Sequence, residues 1–273
     1  MQMRPLRTPR KTLAAVTFSI SALAVFASAA PASAQSAAHY VALGDSYSSG
    51  VGAGSYISSS GSCDRSTKAY SQLWANANAP ATYQSVACSG ATTSSVINTQ
   101  LSALSSATTM VSITIGGNDV GFSSVMETCV LNTTSACVKA IQTAESEMVN
   151  QLPGELDAVL GDINARAPNA QIVVLDYPQL YDLSKSSTCI GLSTTDRTDL
   201  DAAAQELDST IQAAAGRAGD VFADVQGAFA GHEICDSSSW LHSVNIFDIG
   251  ESYHPTAAGQ ANGYEPVFSK AAG

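Results

Sequence analysis

The sequence runs to 273 residues, with 12 basic and 23 acidic side chains, a formal charge of −11 and 45% hydrophobic residues. That acidic balance argues against nucleic acid as a partner and gives no electrostatic pull toward anionic membranes. The hydrophobic share excludes a disordered chain, even though charged residues make up only 13%.

In chain order, residues 1–34 read as a secretory signal peptide and residues 35–273 as a single domain. Arg4, Arg7, Arg10 and Lys11 precede an apolar stretch around Leu13 to Ala27, and Ala32-Ser33-Ala34 supplies an A-x-A cleavage site. A transmembrane anchor is the alternative, but Thr17, Ser19, Ser21 and Ser28 dilute the stretch, so no stable membrane anchor is expected. Cleavage removes four basic and no acidic residues, which moves the formal charge from −11 to −15. The mature chain is therefore expected outside the cell, as a secreted, extracellular monomer.

Five short apolar runs follow: Tyr40–Leu43, Tyr83–Ala87, Val111–Ile115, Ile172–Leu175 and Val221–Val225. Helical segments are predicted between them at Lys68–Ala79, Thr93–Leu104, Ala136–Arg166 and Thr195–Ala218. Pro153-Gly154 should break the long third segment, and Pro255 should open a final helix. Strands alternating with helices imply an α/β fold whose parallel sheet is covered on both faces.

Ser46, Gly90 and Asn118 each follow one of the first three runs, so a parallel sheet brings all three to one edge. Each has an ordinary reading as a turn or cap residue. Their joint placement points instead to acyl transfer. Ser46 supplies a hydroxyl nucleophile, Gly90 an unhindered backbone N–H, and Asn118 an amide that can donate to an oxyanion. Asp45 reads as a turn or cap, and Asp119 as the N-cap of a short following helix. Of the four histidines, His39 is expected to be exposed, and His232 and His242 to be structural. His254, before Pro255, should sit at a helix N-terminus, where the dipole keeps imidazole neutral and able to accept a proton, and where the imidazolium needs an acceptor on its other nitrogen.

Six cysteines remain after the leader: Cys63, Cys88, Cys129, Cys137, Cys189 and Cys235. An even count behind a signal peptide implies disulfides, with fifteen possible connectivities. Sequential pairing closes the shortest loops. No C-x-x-C pair suggests a metal site.

Four blocks, Gly44-Asp45-Ser46-Tyr47, Ser89-Gly90-Ala91, Gly116-Gly117-Asn118-Asp119 and Ser252-Tyr253-His254-Pro255, together resemble the SGNH/GDSL hydrolases. Among these, the chain is most similar to the secreted bacterial lipases and phospholipases A1. The resemblance implies a three-layer α/β/α sandwich with a flavodoxin-like parallel sheet of about five strands. It makes Ser46 the nucleophile and His254 the general base. The oxyanion hole would comprise the N–H groups of Ser46 and Gly90 and the Asn118 side chain. No metal or other cofactor is implied.

It also implies the disulfides Cys63–Cys88, Cys129–Cys137 and Cys189–Cys235. The family's usual aspartate three residues before the histidine is Glu251 here. The Ser252 backbone carbonyl is therefore expected to orient the imidazole, with Glu251 in reserve as a triad acid. The implied substrate is a lipid ester, triacylglycerol or phospholipid. A carbohydrate acetylesterase on the same fold, or a secreted binding module without activity, are the alternatives. The G-x-S-x-G elbow of α/β-hydrolases is absent, because position 48 is serine.

Overall fold

The first, third and fourth apolar runs are buried almost throughout, as strands covered on both faces must be. They form β1 (His39–Gly44), β3 (Met110–Thr114) and β4 (Gln171–Leu175). The two more polar, half-exposed runs become the edges, β2 (Thr82–Ser85) and β5 (Val221–Ala223). All four pairings are parallel, in the order β2-β1-β3-β4-β5. The computed structural model describes residues 2, 38–185, 189–245 and 247–273, and Ala37–Gly273 packs as one unit. The expected leader, residue 2 apart, lies outside the described residues.

The helices are α1 (Ser46–Ser49), α2 (Tyr70–Asn78), α3 (Thr93–Ser95), α4 (Phe122–Leu131), α5 (Thr134–Asn150), α6 (Leu152–Arg166), α7 (Thr194–Ala218), α8 (Gln226–Phe229) and α9 (Glu265–Ala272). One group packs α2 against α9, and stacks Tyr70, Trp74 and Phe268 around Tyr40 of β1. A second group joins α4 to α5, and α5 and α6 to α7. This is the expected α/β/α sandwich. Three disulfides join Cys63 to Cys88, Cys129 to Cys137 and Cys189 to Cys235, the pairing the resemblance implied. Among the described residues, no helix is long and apolar enough to cross a membrane.

Several boundaries differ from the sequence reading, each for a local reason. The predicted helix Thr93–Leu104 is α3 followed by a wide π turn, Val96–Gln100, and a 3-10 turn, Leu101–Ala103. The wide turn ends on Gln100, whose buried amide exchanges two 2.8 Å hydrogen bonds with the backbone of Gly44. The long third segment breaks at Gln151, and Pro153 falls in the first turn of α6, where a missing N–H costs nothing. Pro255 does not open a helix. It bridges to Leu241, and helical turns start two residues later, with the Thr256 hydroxyl accepting from the Gly259 N–H at 3.2 Å.

The sheet order reverses direction between β1 and β3, and open α/β sheets bind ligands at such a point. Ser46 and Asn118 follow those two strands.

Candidate active site

At the end of β1 the chain must turn sharply, and Gly44 takes a φ of +115° to do so. A side chain there would put its Cβ 2.3 Å from the Thr114 carbonyl oxygen, so only glycine fits between the two strands. Asp45 then caps α1, accepting from the Tyr47 N–H at 3.0 Å. Ser46 is thereby the first residue of a one-turn helix, a position whose N–H has no acceptor within the helix. The residue is largely buried, at 7% exposure.

His254 approaches from a loop near the other end of the chain. Its carbonyl accepts from the His242 N–H and the His242 carbonyl accepts from the Tyr253 N–H, both at 3.0 Å. The Tyr47 phenol donates to the Tyr253 carbonyl at 2.8 Å, tying this loop to the serine turn. These anchors bring Nε2 of His254 within 2.7 Å of the Ser46 Oγ. On the other side of the ring, Nδ1 lies 3.1 Å from the Ser252 carbonyl oxygen. A carbonyl can only accept, so Nδ1 carries the proton and Nε2 offers its lone pair to the hydroxyl. Burial lowers the imidazole pKa from 6.5 to about 4, against the Ser252 carbonyl, which raises it, and with the repulsion of nearby His242. Burial, rather than the dipole of a helix starting at Pro255, is what keeps this ring neutral.

Glu251, the reserve triad acid, is engaged elsewhere. Its Oε1 accepts from the Tyr56 phenol at 2.6 Å, and that phenol in turn accepts from the Gly52 N–H. The longer side chain thus fastens the histidine loop to the 52–56 segment.

Gly90 adopts a φ of +75° just after Cys88, where the disulfide to Cys63 and the 3.1 Å bond from the Ser89 N–H to the Cys63 carbonyl hold the turn. Asn118 donates one amide hydrogen to the Ala91 carbonyl at 3.0 Å, which couples its turn to that of Gly90. Asp119 does not cap the following helix as expected. The α4 N-cap is Gly121, and the Asp119 carboxylate instead accepts from the Thr93 N–H at 3.0 Å and the Thr93 hydroxyl at 2.7 Å, capping α3 from across the site.

The remaining histidines are structural. His232 stacks on Trp240 at 3.7 Å, and His242 Nε2 contacts the Gly52 carbonyl at 2.8 Å. His39 is half-buried rather than exposed, because it begins β1 and its ring meets the Thr82 hydroxyl of the neighbouring strand at 3.0 Å.

A cavity opens beside Ser46 and Asn118 and runs between α4, α5 and α7. Its walls are almost wholly apolar, with Val125, Ile141, Met148 and Leu207 among them. These positions were not recognised in the sequence, because apolar residues at helical spacing look the same whether they face a core or a cavity.

The family model for the GDSL-like lipase/acylhydrolases matches residues 42–261. Lipase 1 of Streptomyces coelicolor is 54% identical over 252 residues, covering 92% of this chain and 93% of its own. A phospholipase A1 structure from Streptomyces albidoflavus NA297 superimposes with a TM-score of 0.84 at 53% identity, covering 86% of this chain and 100% of its own. An extracellular lipase structure from Streptomyces rimosus gives 0.83 at 51% identity, with 85% and 98% covered. The chain belongs to the GDSL-like lipase/acylhydrolase family.

Proposed function

We propose that this protein is a secreted serine ester hydrolase that releases fatty acids from lipid esters. One observation carries the reading: the Ser46–His254 contact of 2.7 Å opens on a cavity walled mostly by apolar side chains. Apolar walls suit an acyl chain and offer few partners to the hydroxyls of a sugar, which favours lipid over carbohydrate esters. The names of the Streptomyces relatives, a lipase and a phospholipase A1, agree with it. Three disulfides and the expected leader at residues 1–34 suit an oxidising, extracellular setting, as does the relative called an extracellular lipase.

In this mechanism the Ser46 Oγ attacks the acyl carbonyl while Nε2 of His254 takes the hydroxyl proton. The Nδ1–H of the imidazolium stays on the Ser252 carbonyl, which holds the ring in place without a third charged group. The tetrahedral oxyanion is held by the N–H groups of Ser46 and Gly90 and by the second amide hydrogen of Asn118. Collapse passes the Nε2 proton to the departing alcohol and leaves an acyl-serine. A water molecule, deprotonated by the same nitrogen, then releases the fatty acid.

The direct test is a panel of p-nitrophenyl esters from acetate to palmitate, with triacylglycerol and phosphatidylcholine. Long-chain esters should show the higher kcat/KM, and hydrolysis of acetate alone would reject the lipid reading.

The depressed imidazole pKa sets the pH response. Neutral His254 is the working base, so kcat/KM should hold as pH falls and decline only as it passes through about 4. An acid limb centred near the free imidazole value of about 6.5 would contradict this. Linkage gives the same window for stability. The unfolded imidazole takes a proton below about 6.5 and the folded one does not, so His254's own contribution to stability falls between there and about 4.

Because the Ser252 carbonyl already orients the ring, Glu251→Gln should lower kcat less than about tenfold, under ~1.4 kcal/mol of barrier. Removing a true triad acid costs about 10⁴. A loss of a thousandfold or more, with circular dichroism unchanged, would make Glu251 the third member.

A further inference from the structure

Directly behind Ser46 lies a carboxyl group that the acyl-transfer steps do not use. Asp45 is 1% exposed, and both its oxygens are engaged. Oδ1 accepts from the Tyr47 N–H at 3.0 Å and the Thr114 hydroxyl at 2.7 Å, and Oδ2 accepts from the Tyr177 phenol at 2.5 Å. Tyr177 comes from a different strand end, two residues beyond β4. Its oxygen also accepts the Gly117 N–H at 3.2 Å. A continuous run of hydrogen bonds therefore joins the turn that carries Asn118 to the turn that carries Ser46.

Two features show that this link is built rather than incidental. A Cβ at Gly117 would stand 3.3 Å from the phenol oxygen, so the missing side chain at 117 admits the phenol. The Tyr177 ring is locked edge-on against Tyr47, with centroids 4.9 Å apart and planes at 86°. Burial and the neighbouring Asp45 push the phenol pKa far above its usual value, so it remains a donor at every working pH. Asn118 is thus held from two sides, through its side chain by the Ala91 carbonyl and through the backbone of its neighbour by Tyr177.

We propose that Tyr177 is a positioning residue for this reaction: by donating to Asp45 and accepting from Gly117, it fixes the turn that carries the Asn118 amide relative to the turn that carries Ser46. The proposal rests on the reading of Asn118 as an oxyanion donor. Tyr177 does not touch the reacting atoms, and its ring keeps a second duty as part of the cavity wall.

Tyr177→Phe removes the oxygen and leaves the wall. On soluble p-nitrophenyl butyrate, kcat should fall about 10- to 100-fold while KM stays within about twofold, because a misplaced oxyanion donor is felt in the transition state. In an Asn118→Ala background the same change should cost less than about threefold, since the group it positions is gone. A purely structural tyrosine would multiply the two losses instead. If Tyr177→Phe does not accumulate as folded protein, Gly117→Ala reads the link from the other side. Its methyl would crowd the phenol oxygen at 3.3 Å and shift it by a few tenths of an ångström, and should lower kcat in the same direction, by a smaller factor, without a change in KM.

A folded Tyr177→Phe protein with kcat within twofold of wild type, beside a normal Asn118→Ala loss, overturns the proposal alone. Full multiplication in the double variant does the same, as does a folded Gly117→Ala protein with wild-type kcat. An Asn118→Ala protein with unchanged kcat removes the oxyanion reading itself and this proposal with it.

Discussion

The ends of β1 and β3 approach so closely at Gly44 and Thr114 that no side chain fits between them, and the site is suspended from that contact. The Asp45 N–H donates to the Thr114 carbonyl at 3.1 Å, the Thr114 hydroxyl returns a bond to Asp45, and the Thr114 N–H donates to the Ser48 hydroxyl at 3.0 Å. Both turns of the switch point are thus stitched into one backbone frame before any catalytic side chain is placed. The serine turn inherits its rigidity from two interior strands, the parts of a sheet least free to move. Positioning groups on such elements holds a reactive geometry better than loops alone can.

That frame is dry, and its polar groups are satisfied internally. Below the serine turn the hydroxyls of Tyr40, Ser112, Tyr70, Ser48 and Thr114 form a buried hydrogen-bonded run, with oxygen–oxygen distances between 2.6 and 3.1 Å. A buried hydroxyl without a partner costs stability, so each member requires the next. The same dryness acts on charged groups in opposite senses. It holds His254 neutral and pushes the Asp45 carboxyl up to about 6, against the bonds from Tyr177, Thr114 and the Tyr47 N–H that favour its charged form. Farther along, burial and the adjacent Asp208 carboxyl push Asp176 up as well. The lowered pKa keeps the proposed base free of a proton but also weakens it, so an imidazolium formed there depends on the Ser252 carbonyl. The acids beneath it are tolerated because hydrogen bonds surround them.

Much of this was legible in the sequence, because each block sits where an apolar run stops. Five runs with helices between them define the sheet, and the residues just after the first three runs must meet at one edge. What stayed hidden depends on partners distant in the chain. Asp119 looks like a local cap, yet its acceptor role is directed at Thr93, 26 residues earlier. Glu251 occupies the place of a familiar aspartate, but only the fold shows Tyr56 waiting for it 195 residues away. Tyr177 follows an ordinary strand and carries no motif. The start of the last helix was misplaced because Pro255 suits an N1 position equally well as the extended bridge to Leu241 that it makes.

In the proposed reaction Ser46 becomes acylated, with His254 as its base. Mass spectrometry of the protein after reaction with a lipid-like fluorophosphonate reads this directly, since such reagents capture only a serine that is already activated. One adduct per chain is expected, on the peptide containing Ser46, and it should vanish in His254→Ala. An adduct on a different residue, or equal labelling of the His254→Ala protein, would contradict the account.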